Sequence, residues 1–139
     1  MDSYNNALRS GISRLPIEVS ATAHDELVAY LELMIKWNKA YNLTSVRDPL
    51  QMVTRHLLDS LSILPFLPQG RILDVGTGGG LPGVVLAIMC PGREIHLLDS
   101  NGKKTRFLFQ VKTALGLDTM VIHHDRVEQF RDERVLNVI

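Results

Sequence analysis

Arg71-Ile-Leu-Asp-Val-Gly-Thr-Gly-Gly-Gly-Leu-Pro-Gly83 is the stretch whose reading decides the fold. Arg71 to Val75 is a short apolar run of the kind that makes a buried parallel strand. The glycines after it make a turn, and Leu81 to Met89 is apolar all round, as a helix buried against a sheet must be. Working outward, Pro91-Gly92 closes that helix and Glu94-Ile-His-Leu-Leu-Asp99 reads as a second strand. Phe107, Leu108, Val111, Ala114 and Leu115 mark one face of a further helix, which Gly116 can cap. Met120 to His124 is a third strand, Arg126 to Phe130 a short helical turn, and Val135 to Ile139 the start of a fourth strand. This alternation predicts an α/β fold with a doubly wound, Rossmann-like parallel sheet.

Upstream of Gly70 the period is helical. Residues 1–21 hold no sustained pattern and include Gly11 and Pro16, so a loose or short helical lead-in is expected. Leu27, Tyr30, Leu31, Met34, Trp37 and Tyr41 then recur at intervals of three and four, with Thr22 and Asp25 placed like a capping box. Asn42 to Pro49 ends that helix, and a second one carries Val53, Leu57, Leu61 and Leu64 before stopping near Pro65 and Pro68. The expected organisation is a helical extension over residues 1–70 and an α/β core over 71–139, within one structural domain. An end inside an apolar strand leaves a sheet edge that needs covering, so the expectation is a chain truncated at its C-terminus, with later strands missing.

The glycines admit two frames. Gly78-Gly-Gly-Leu-Pro-Gly83 fits the dinucleotide pattern, and Asp74-Val-Gly76-Thr-Gly78-Gly79-Gly80 fits the acidic turn of methyltransferases. The strand ends at Val75, so the tight turn begins at Gly76, and in that frame the third dinucleotide glycine would fall on Leu81. Asp74 favours the second frame as well: an acid gains nothing beside a pyrophosphate, whereas S-adenosylmethionine offers an ammonium to a carboxylate and a carboxylate to backbone N–H groups. Asp99 lies 23 residues beyond Gly76, close to the spacing of about 20 at which an acid accepts ribose hydroxyls. That feature is shared by NAD and S-adenosylmethionine. Taken singly, the turn also reads as a structural loop and Asp99 as a helix-capping acid.

Composition excludes several classes. Lys and Arg number 15 and so do Asp and Glu, which removes the electrostatic footprint of a strong non-specific nucleic-acid binder. No run approaches the ~18 apolar residues of a membrane span, and the N-terminus lacks a basic region followed by an apolar one, so a cytoplasmic protein is expected. Cys90 is the only cysteine and ends a buried helix, a poor place for a nucleophile. Lys103, Lys104 and Arg106 in the first turn of a helix read as a solvated face. His123 and His124 are adjacent in a strand and point to opposite faces, so no metal is expected. His56, Asp59 and Ser60 share one helical face, as a polar network or as part of a site.

Four segments, Trp37-Asn-Lys-Ala-Tyr-Asn-Leu-Thr44, Arg55-His-Leu-Leu-Asp-Ser60, Asp74 to Gly83, and Leu97-Leu-Asp-Ser100, occur in order. In them the chain closely resembles the bacterial small-subunit rRNA guanine-N7 methyltransferases, the glucose-inhibited division protein B family, from about Leu27 onward. The resemblance implies a class I methyltransferase core, S-adenosylmethionine as cofactor, and a guanine N7 of 16S rRNA in the small ribosomal subunit as target. It also implies cofactor contacts at Gly76, Leu81, Val127 and Glu128, and a continuation past Ile139 that includes a Ser-Arg-Ala-Phe-like segment.

The expected cofactor site is therefore Asp74, Gly76, Gly78, Leu81, Asp99, Val127 and Glu128, with Asn42, Arg55 and His56 near the RNA. Guanine N7 has an in-plane lone pair and no proton to lose, and a sulfonium methyl is already activated. No general base or nucleophile is needed, and no catalytic residue is assigned. A monomer is expected. The rival readings are a nicotinamide-dependent oxidoreductase and a fragment that binds cofactor or RNA without turnover.

Overall fold

Four parallel strands, β1 (Ile72–Val75), β2 (Ile95–Asp99), β3 (Met120–His124) and β4 (Asn137–Val138), form one sheet in the order β3-β2-β1-β4. The computed structural model describes residues 2–132 and 137–139, so Val135 and Leu136 of the expected fourth strand lie outside the described residues. Ile72 pairs with Ile95 on one side and Asn137 on the other, and Ile95 pairs with Met120. Because chain order reverses between β1 and β4, β1 stands at the switch point of the sheet, where α/β folds bind ligands outside the carboxyl ends of the strands.

Side chains alternate across a strand, so Ile72, Ile95, Leu97 and Met120 project to one face. There they join a single buried cluster with Val84, Val85 and Ile88 of α5 (Gly83–Met89) and Phe107, Leu108 and Val111 of α6 (Gly102–Leu115). Leu73, His96 and Leu98 project to the other face and are also buried. Asn101 caps α6 by accepting from the backbone N–H groups of Lys103 and Lys104, and Gly116 ends it at φ 65°, as its sequence position predicts.

The helical extension packs behind this layer. It comprises α1 (Asp2–Ile12), α2 (Ala21–Tyr41), α3 (Pro49–Met52), a π-helical segment (Val53–Leu58), α4 (Asp59–Ser62) and a 3₁₀ turn (Leu64–Phe66). Three expectations are corrected here. The N-cap of α2 is Ser20, whose hydroxyl accepts from Ala23 N at 3.1 Å, so Thr22 and Asp25 form no capping box. The second helix is not uniform: it begins with Pro49 in its first turn behind the capping Asp48, as expected, and then widens into the π segment. The helix after the glycines also begins later than expected, at Gly83.

Tyr30 of α2 joins extension to core. Its ring is fully buried beside Phe107, and its hydroxyl donates to Gly79 O at 2.7 Å. Removing one partner of such a bond leaves a buried carbonyl unsatisfied, at about 1–3 kcal/mol. Tyr30→Phe is therefore expected to lower the melting temperature by several degrees with little change in helical circular dichroism; an unchanged midpoint would show that the bond contributes nothing.

Candidate cofactor and substrate recesses

The turn after β1 is built on glycines for a conformational reason. Gly76, Gly78 and Gly80 have φ of 68°, 60° and 103°, where a side chain is strained, whereas Gly79 and Gly83 do not need that region. Every second residue from Gly76 carries the positive φ, which agrees with the frame starting at Asp74 and not with the dinucleotide frame starting at Gly78. The remaining glycine, Gly83, is required by contact: a Cβ there would stand 2.7 Å from Leu97 Cγ and 2.9 Å from Asp74 Oδ2.

Asp74 fixes the turn from below. It is 3% exposed, and its Oδ2 accepts from Thr77 Oγ1 at 2.7 Å and from Gly83 N at 2.9 Å. Burial raises its carboxyl from 3.8 to about 6, against the lowering effect of those two hydrogen bonds, and Asp99 raises it further. Asp74 thus stands beneath the turn and is absent from the cavity wall.

Above the carboxyl ends of β1, β2 and β3 lies an open cavity of about 460 Å³. Gly76, Asp99, Val127 and Glu128, all expected site residues, line it together with Val75, Leu98, Ser100, Asp125 and Arg126. Three acids face one arginine there. Nothing lies within 4 Å of where a Cβ would stand on Gly76 or Gly78, so the turn leaves open space for a close-lying ligand. Asp99 holds the turn to β2: Oδ2 accepts from Gly78 N and Oδ1 from Asn101 N, each at 2.8 Å. A carboxylate oxygen has two acceptor sites, so each retains one for a ligand hydroxyl. Val127 is 56% exposed and offers the cavity an apolar surface.

Leu81 lies elsewhere. With Pro82 it lines a second recess, about 400 Å³, shared with Arg55, Asp59 and Ser60. Asn42 and His56 each bond to a residue of the loop that follows α2. Asn42 sits in the left-handed region at φ 51° and accepts from Arg47, while Thr44 Oγ1 meets His56 Nε2 at 2.8 Å. Burial lowers the His56 pKa, partly offset by a backbone hydrogen bond with Arg55 and by Asp59. His56, Asp59 and Ser60 do not act as one network: His56 turns to Thr44, Ser60 is buried and Asp59 is exposed.

His123 and His124 diverge as strand alternation requires. His123 Nε2 meets buried His96 Nδ1 at 2.8 Å, while His124 Nε2 reaches Ser100 O at 3.1 Å. Cys90 is half-buried with its thiol pKa raised by burial, which disfavours the thiolate. Lys103 is exposed and stands 6.0 Å above the Tyr41 ring. Sequence reasoning missed Asp125 and Ser100 as cavity residues; their places directly after β3 and β2 are the only signal that marks them.

Asp74 generates a pH dependence with a definite sign. Its folded-state value of about 6 lies above the ordinary 3.8, so its contribution to stability is fully present below about pH 4 and is lost as pH rises through about 6. Asp74→Asn keeps an acceptor for Thr77 and Gly83 and does not ionise. The melting temperature of the variant, relative to the unaltered chain, is expected to climb between pH 4 and 7, by the equivalent of about 2–3 kcal/mol. Parallel melting curves across that range would refute the shift.

Comparison with known proteins agrees with this geometry. Residues 23–139 match the family model described as rRNA small subunit methyltransferase G. The chain is 57% identical over 129 residues to the ribosomal RNA small subunit methyltransferase G of Pseudomonas entomophila, covering 91% of this chain and 60% of that protein. It is 54% identical over 132 residues to the Pseudomonas fluorescens protein of the same name, covering 95% and 62%. The Ectopseudomonas mendocina protein of that name is 58% identical over 129 residues, covering 91% and 60%. The chain thus spans about 60% of the length of the curated relatives it matches. A parallel sheet switching at β1, an acidic glycine turn and a match over most of its residues together make the chain a member of the rRNA small subunit methyltransferase G family.

Proposed function

We propose that this chain binds S-adenosylmethionine over the turn after β1 and serves the transfer of its methyl group to N7 of a guanine in small-subunit, 16S ribosomal RNA. The observation that carries the reading is the cavity at the carboxyl ends of β1 to β3, with Asp99 in its wall and open space over Gly76 and Gly78. Its charge also suits this cofactor. Asp99, Asp125 and Glu128 outnumber Arg126, which favours a ligand bearing sulfonium and ammonium groups and opposes the pyrophosphate of a nicotinamide dinucleotide.

In this reading Asp99 accepts the ribose hydroxyls with the acceptor sites left free by Gly78 N and Asn101 N. Val127 and Glu128 hold the adenine, the first by apolar contact. Gly76 and Gly78 let the backbone approach, Leu81 borders the far end, and Asp74 acts through the turn it fixes. Asn42, Arg55 and His56 lie on the RNA side. When bound, the cofactor would supply a methyl already activated by its sulfonium, to which the N7 lone pair could bond as the carbon–sulfur pair returned to sulfur. No proton is removed, so positioning and exclusion of water are what the chain must provide. No helix is long and apolar enough to cross a membrane among the described residues, and we propose that the protein acts in the cytoplasm as a monomer.

Calorimetric titration tests the reading. S-adenosylhomocysteine is expected to bind the chain and NADH not to, and Asp99→Ala is expected to weaken the first by at least about 10–100-fold, the equivalent of one charge-assisted hydrogen bond of the two it removes. Unchanged affinity in Asp99→Ala would refute the ribose assignment. Radiolabel from S-adenosylmethionine appearing in 16S rRNA at a position cleaved by aniline after borohydride would support N7 of guanine; label at an exocyclic or ribose position would overturn it.

A further inference from the structure

The recess lined by Arg55, Asp59, Ser60, Leu81 and Pro82 holds two charges of opposite sign, neither in an ion pair among the described residues. Arg55 and Asp59 are four residues apart, the spacing at which such a pair normally meets on a helix face, yet no ion pair joins them and both side chains are exposed. They sit where the π-helical segment passes into α4, and a π turn inside a helix often marks a functional position.

The recess opens at the same end of the sheet as the cofactor cavity. Leu81 and Pro82 lead directly into α5, whose first N–H reaches Asp74 near the carboxyl end of β1, and one turn serves both hollows: Gly76 lines the cavity and Leu81, just after Gly80, lines the recess. Strand order gives the direction. Val127 and Glu128 follow β3 and Asp99 ends β2, so a ligand with its base at the former and its ribose at the latter extends its remaining end over β1, toward this recess. The recess offers an acceptor a place beside that end.

We infer that the recess receives the acceptor guanine, with the Asp59 carboxylate accepting from its N1–H and exocyclic N2 amine and the Arg55 guanidinium holding the phosphate of the same nucleotide. This rests on the methyl-transfer reading above and adds its base selectivity. A carboxylate offers two acceptors side by side, and guanine alone among the four bases presents two adjacent donors on its Watson–Crick edge. The contact leaves N7, on the opposite edge, free to react. Methylation at N7 places a positive charge on the purine, which strengthens the N1–H bond to Asp59 as the reaction proceeds; Asp59 therefore aids the transition state more than the ground state. Pairing explains why Arg55 and Asp59 are kept apart: each is reserved for a different part of one nucleotide.

Backbone amide NMR of the chain with nucleotide monophosphates tests this without requiring turnover. GMP is expected to shift Arg55, Asp59, Ser60 and Leu81 and to bind roughly tenfold more tightly than IMP, which lacks only the N2 amine. Asp59→Ala and Asp59→Asn should abolish the preference for GMP over IMP, and Arg55→Ala should bring GMP down to the level of guanosine. Thermal melting verifies that the variants fold. Equal affinity for GMP and IMP, a preference that survives in both Asp59 variants, or GMP shifts confined to the Asp99 cavity would each overturn the inference. S-adenosylhomocysteine binding in the same samples reports separately on the methyltransferase reading, since Asp99 and not Asp59 governs it.

Discussion

Asp74 carries a carboxylate into the interior at 3% exposure, and the chain surrounding it is arranged to make that tolerable. A buried carboxylate without donors would simply stay protonated or expel the segment that carries it. Here Thr77 Oγ1 and Gly83 N converge on a single oxygen, so the turn must fold back over the strand end within three residues and the helix must present its first N–H to the same atom. Both demands select glycine, by positive φ at Gly76, Gly78 and Gly80 and by lack of room at Gly83. The delayed start of α5 follows: Leu81 and Pro82 are spent in reaching the geometry that lets Gly83 donate.

That turn then divides the functional edge of the sheet. On one side lie Asp99, Asp125 and Glu128 over β2 and β3; on the other lie Leu81, Arg55 and Asp59. Tyr30 reaches through the core to Gly79 O, and Leu43 lies against Gly79, so the helical extension braces the turn from behind. The extension is therefore more than a lid on apolar surface. It carries one wall of a recess and holds the partition between the two hollows, which explains why residues far apart in sequence meet around five glycine-turn residues.

The architecture was legible because periodicity reports burial. Short apolar runs separated by amphipathic stripes fix strand and helix identity even where their ends shift by a residue or two. The methyltransferase frame of the glycines was readable from the position of Val75, and the positive φ values fall on that frame. The cap of α2 was misread because Ser20 and Thr22 are both competent caps, and only the path of the incoming chain chooses between them. The π segment was invisible because Val53, Leu57 and Leu61 hold the same face in either helix type. Site residues supplied by one strand end, such as Asp99, could be read locally. The Arg55 recess could not, since α4 and the turn before α5 are brought together only by tertiary packing.

Charge completes the division. A net charge of zero, with acids and bases balanced in both halves of the chain, looks featureless in composition. Placed on the fold it is not uniform: the cavity over β2 and β3 is acid-rich, while the recess across the turn holds one guanidinium, Arg55, and one carboxylate, Asp59. A polyanion is repelled from the first and meets no net charge in the second, where Arg55 can hold a phosphate, while a cationic cofactor is drawn to the first. With little overall attraction for nucleic acid to draw on, such a surface can hold an RNA nucleotide only where local charge and shape both fit. Separation of the two hollows by the turn then serves specificity, because a phosphate held at Arg55 stays out of the acid-rich cavity, where it would compete with the methyl donor.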